Sequence, residues 1–202
     1  MYINTFRYTP EDVDCKLCTE YRRKLGCIAS GCPFLAERIE AGTVGYGDAV
    51  QNTLSQHKSL APRLTTLIRF FPGTMWGDSR HKPRLEAFKA RLGYRRHRDT
   101  PAYYAALYLL TANEDIFSRA ANCFCKRGLE FGYALLRGIS PHDYTLFVAA
   151  RNIYTGAEGL TFSDLADPEV VDEEALRLIV NALLVARYGP VILDIRERGH
   201  GA

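Results

Sequence analysis

No stretch of this chain of 202 residues approaches the about 20 apolar residues that a membrane-spanning helix needs. The longest candidate, LRLIVNALLVARYG, is interrupted by Asn181 and Arg187. The opening residues, MYINTFRYTPEDVD, lack a charged start followed by an apolar run, which is the pattern of a secretory leader. The expectation is therefore a cytoplasmic protein with no membrane association. Charge of one sign is scarce as well. A net charge of +3 does not by itself mark a nucleic-acid binder. Signatures of catalysis are missing: there is no G-x-S-x-G, P-loop, H-E-x-x-H or G-x-G-x-x-G. GTVGYGD (residues 42–48) has three glycines but no strand-then-helix context, and it reads as a turn. The five histidines, His57, His81, His97, His142 and His200, are scattered, with no pair at metal-ligand spacing. No repeat or low-complexity linker interrupts the chain. The expectation is a protein that is not an enzyme.

Cysteine is what the chain does have, and it is concentrated. CKLCTEYRRKLGCIASGC places Cys15, Cys18, Cys27 and Cys32, four of the six cysteines, within eighteen residues. Disulfides are rare in a reducing compartment. A C-x2-C pair forms a tight knuckle with both sulfurs facing one point. The second pair is separated by a loop containing Ser30 and Gly31, and Gly26 helps the chain turn back. Four thiolates at tetrahedral reach form a closed structural zinc site, with no open position for chemistry. Their net charge of about −2 on the metal would be offset by Lys16, Arg22, Arg23 and Lys24. Zinc would also supply folding energy to a segment too short for a core of its own. An iron–sulfur cluster and four unmetallated thiols are the competing readings. Cys123 and Cys125 form a C-x-C too small to be a site, and they read as small core residues.

Beyond Pro33 the pattern is helical. PFLAERIEAG, YGDAVQNTLSQHKSLAPRLTTLIRFFPG and HKPRLEAFKARLG are each closed by glycine or Pro-Gly. DTPAYYAALYLLTAN is apolar on all sides, as a central buried helix must be. Asn113 and Ser140 cap the next two helices, and DEEALRLIVNALLVARYG starts acidic and ends with Arg187 and Gly189. VILDI reads as a short strand or ordered tail. The fold class is mainly α: a bundle-like helical body (residues 43–202) joined to a small four-cysteine zinc module with the first helix (residues 1–42).

Charge is sorted along the chain. SRHKPRLEAFKARLGYRRHRD packs Arg80, Lys82, Arg84, Lys89, Arg91, Arg95, Arg96 and Arg98 into nineteen residues, with only Glu86 opposing them in that span. Tyr94 and His97 are interleaved. Such a stripe suits phosphate backbones or an acidic protein groove; a solvated helix face is the bland alternative. An acidic run from Asp164 to Glu174 reads as a solvated loop and a helix N-terminus. The separation of sign would also favour head-to-tail association into a homo-oligomer. Trp76 in the turn-rich FPGTMWGDSR caps the core in this reading; an exposed interface anchor is the other.

The strings ALYLLTANEDIF (residues 106–117), FVAARNIYTG (147–156), LADPEV and NALLVARYG, with His81 and Phe88 upstream, occur in an order that resembles a family of small α-helical proteins. That family, of unknown function, is found in conjugative elements and phages of Firmicutes. The resemblance covers residues ~80 to 189 at the level of helix cores and caps. It implies a fold and a mobile-element origin. A zinc-clasped, non-enzymatic protein in that setting is similar in character to type II anti-CRISPR proteins. The implied partner is a protein, an RNA-guided type II nuclease complex, blocked at target-DNA loading or activation. The alternative is an accessory or regulatory protein of the element that contacts RNA or DNA backbone.

Overall fold

The computed structural model describes residues 6–27 and 32–195. Among these the chain is mainly α, with α1 (Leu35–Glu40), α2 (Tyr46–Leu54), α3 (Ala61–Arg69), α4 (His81–Leu92), α5 (Pro101–Leu110), α6 (Glu114–Ala120), α7 (Pro141–Thr155), α8 (Phe162–Ala166) and α9 (Glu173–Tyr188). No described helix is long and apolar enough to cross a membrane.

The centre is α5. Thr100 Oγ1 accepts the Tyr103 N–H at 3.2 Å, and Pro101 presets the first turn. Every residue from Ala105 to Leu110 is buried. Only a helix enclosed on all sides can carry such a sequence, and α5 packs against both α7 and α9, which also pack against each other. The flanking helices start at side-chain caps. Asn113 Oδ1 accepts from Ile116, Ser140 Oγ from Asp143 and Asp172 Oδ1 from Ala175. Helix α7 ends at Gly156, whose φ of 70° suits a residue without Cβ.

The structure adds elements that the periodicity does not carry. A two-residue hairpin, β3 (Phe124–Cys125) against β4 (Gly128–Leu129), follows α6. A first hairpin, β1 (Tyr21–Arg22) against β2 (Gly26–Cys27), lies in the cysteine segment. Helix α8 is held by a reciprocal Thr161–Asp164 cap. VILDI lies in a 3-10 turn, Pro190–Asp194, rather than a strand. Helix α1 begins after Phe34, so Pro33 precedes its cap. Its Leu35 and Ile39 enter the same core as the body, and the helix packs against the Pro190–Asp194 turn. Cys123 is fully buried, as a small core residue should be, and Trp76 is half-buried at the core edge.

A polar network crosses this core. Tyr46 O–H donates to Asn181 Oδ1 at 2.7 Å, and Asn181 Nδ2 donates to Met75 O at 2.9 Å. Tyr108 O–H also donates to Met75 O. Every member is satisfied, which is the condition for a buried polar group to be tolerated. The network ties the loop of residues 70–80 to α2, α5 and α9.

Candidate metal centre and basic face

Local chain reversals set the four N-terminal cysteines along the wall of one cavity. Asp14 Oδ1 accepts the Lys16 N–H at 2.9 Å and opens a 3-10 turn, Cys15–Leu17, which Cys18 closes by donating to Cys15 O at 3.0 Å. The β1–β2 pairing sets Cys27 opposite Tyr21. Cys32 stands at the entry to α1, where its carbonyl accepts the Leu35 N–H. Cys15, Cys18, Cys27 and Cys32 line one cavity of about 430 Å³. All are free thiols. Among the described residues, no three His, Cys, Asp or Glu side chains form a group able to hold a metal ion. The cysteines thus share a cavity wall. Ser30 and Gly31, assigned above to the connecting loop, lie outside the described residues.

Two further side chains enter this cavity that cysteine spacing does not reveal. Arg38 Nη1 approaches Cys32 Sγ at 4.0 Å. Glu37 Oε2 and Arg38 Nε are buried with no hydrogen-bond partner among the described residues.

The eight basic residues divide into two groups. Arg84, Lys89 and Arg98 turn inward. Arg84 Nη1 donates to Thr111 O at 2.6 Å and Ala112 O at 3.2 Å, the free carbonyls at the end of α5. Its Nε pairs with Glu114 at 3.2 Å. Asp99 is the hub for the other two. Its Oδ2 accepts Lys89 Nζ at 2.6 Å and the Arg95 N–H at 3.0 Å, and its Oδ1 accepts Arg98 Nε at 2.8 Å. The Asp99 side chain is 0% exposed and that of Arg98 2%. Burial alone would raise the Asp99 pKa. The donated hydrogen bonds outweigh it and hold the carboxyl down at about 2. Arg98 Nη2 reaches back to Gly93 O at 2.5 Å, while its guanidinium lies 5.2 Å from the Tyr103 ring centroid. These three residues are therefore fixed inside the molecule, where a partner cannot use them as a stripe would require.

The outward group is Arg80, Lys82, Arg91, Arg95 and Arg96. Arg80, Arg95 and Arg96 make no ion pair among the described residues. Lys82 makes only long pairs with Asp194 (3.4 Å) and Glu86 (3.9 Å). Tyr94, 73% exposed, and His97 stand beside Arg95 and Arg96. Asp99, which organises this loop from within, is the residue that the sequence pattern does not single out. Its one signal was position: a lone carboxylate directly after the basic run.

The acidic run is spent on structure. Asp164 and Asp172 cap α8 and α9, Asp172 Oδ2 lies 2.8 Å from His142 Nδ1, and Glu173 pairs with Arg63 at 2.8 Å. Comparison with known proteins finds no matching protein family, no matching curated protein and no matching solved structure.

Proposed function

We propose that this chain is a zinc-clasped, non-enzymatic binding protein whose working surface is the loop of residues 93–98, and that this surface grips a nucleic-acid backbone. The observation behind this reading is the Asp99 hub. It locks the loop from within while Tyr94, Arg95, Arg96 and His97 face solvent. A loop fixed beforehand loses little freedom on binding. Its cations suit phosphates, and its aromatic rings suit bases.

Zinc fits the donor set. The four cysteines that line one cavity would supply an all-thiolate donor set, and Arg38 would offset part of its negative charge. Cys15, Cys18, Cys27 and Cys32 would hold the ion, and its role would be to order the segment.

The mobile-element resemblance favours one setting: an RNA-guided type II nuclease, whose guide backbone the loop would engage so as to obstruct target-DNA loading or activation. In that setting, protein titrated into a guide-loaded nuclease before the DNA abolishes cleavage in a dose-dependent way and leaves guide and DNA intact. The exposed arginines equally support an accessory protein acting on bare nucleic acid. Affinity for bare DNA then falls steeply with salt, and Arg95→Ala with Arg96→Ala lowers the slope of log K against log salt by about 2. Failure both to bind nucleic acid at low salt and to inhibit the nuclease rejects the reading.

A further inference from the structure

A second cavity lies at the opposite end of α4 from the basic loop. Its walls are the loop of residues 70–79, the first turn of α4 and the second turn of α9. Phe70, Pro72 and Trp76 give it an apolar side, and Lys82 and Arg177 a cationic one. Its volume of about 770 Å³ lies within the range of small-molecule sites.

The cavity is built on a fixed floor. His81 Nδ1 accepts the Gly77 N–H at 3.1 Å, so its Nε2 carries the proton and donates to Tyr108 O at 2.8 Å. The ring so held meets the Trp76 indole edge-on, with centroids 5.0 Å apart and planes at 88°. Arg177 donates to Trp76 O at 3.1 Å and pins the same loop from α9. The indole is thereby set in place by neighbours on both sides. Lys82 Nζ stands 5.8 Å from the indole centroid. Its pairs with Asp194 and Glu86 are long and exposed, so they are worth little and are readily exchanged. Asp78, the one carboxylate among the described residues that line the cavity, turns its Oδ1 to the Arg80 and His81 N–H groups.

A fixed indole beside a movable ammonium and a guanidinium matches a ligand with a flat aromatic face and a nearby anion. We propose that this cavity binds a nucleoside monophosphate unit, with the base against Trp76 and the phosphate on Lys82 and Arg177. The unit has two sources, a free mononucleotide or the 5′-phosphorylated end of a single strand. The site is separate from the loop of residues 93–98 and does not depend on the function proposed for that loop.

Trp76 is the only tryptophan of the chain, so its fluorescence reports this cavity alone. The full-length protein is titrated with AMP, with a 5′-phosphorylated oligothymidylate and with inorganic phosphate, exciting at the red edge of indole absorption. Saturable quenching is expected with AMP or with the oligonucleotide. Quenching by AMP assigns the free mononucleotide, and quenching by the oligonucleotide alone assigns the strand end. Lys82→Ala, a change at an exposed side chain, weakens the binding by about tenfold, whereas the Arg95→Ala, Arg96→Ala protein binds unchanged. The proposal is overturned by absence of saturable quenching with AMP or the oligonucleotide up to about 1 mM. It is equally overturned if inorganic phosphate alone reproduces the effect, or if Lys82→Ala leaves the affinity intact.

Discussion

Asp99 and His81 are both buried ionisable groups, and they answer burial in opposite ways. Asp99 keeps its charge because Arg98, Lys89 and the Arg95 N–H reach it. Removing it strands two cations that are mostly shielded from water. Asp99→Ala is therefore expected to lower stability by about 3–5 kcal/mol in urea unfolding at neutral pH. The carboxyl titrates below its unfolded value, so its contribution is present above about pH 4 and is lost as pH falls towards 2. The gap between variant and parent should narrow over that window. His81 has instead given up its charge. Burial is the main cause, the Arg84 and Arg177 charges add to it, and the Tyr108 carbonyl and Asp78 oppose it; the result is a pKa of about 4. Unfolded histidine takes up its proton near pH 6.5, so acid favours the unfolded chain earlier. Stability should fall by about 3 kcal/mol as pH drops from 6.5 to 4, and His81→Gln should remove that slope. An unchanged slope would mean that the ring is solvated in solution.

At the scale of elements, the cysteine segment and the helical body should separate under chelation. The body carries its own core, whereas among the described residues before α1 only Cys32 packs against that core, at its edge. A zinc chelator should open residues 15–32 to proteolysis and leave most of the helical circular dichroism intact. Cys32→Ser should cost both the bound metal and that protection; full protection in the apo protein would remove zinc from the account. The helices themselves were largely readable. Asn113 and Ser140 cap where their sequence positions say they should, because a cap is a local bond between residues three apart. The two-residue strands β3 and β4 were not readable. They are too short to show a period, and they are placed by tertiary contact, with Phe124 against Phe88 and Phe117. The division of the basic run also escaped the sequence. Whether an arginine faces water or a carbonyl is set by where α5 ends and Asp99 sits, and neither follows from composition.

On the scale of the whole molecule, α4 carries a basic loop at one end and an indole-lined cavity at the other. Twelve helical residues rise by about 17 Å, a span that a short single strand bridges. If the strand end occupies the cavity while the loop holds its backbone, a 5′-phosphorylated oligonucleotide should bind more tightly than its unphosphorylated twin. The difference should vanish in Lys82→Ala but persist in Arg95→Ala with Arg96→Ala, as competition titrations would show.

Helix α1 leans on the Pro190–Asp194 turn, and that contact sets a timetable for synthesis. The cysteines leave the ribosome early, but the surface that seats their supporting helix is translated about 150 residues later. At about 5–20 residues per second the interval is roughly 8–30 s. During it the nascent thiols are open to metal capture or to oxidation. Whichever arrives first would decide whether the finished chain has a clasp at all.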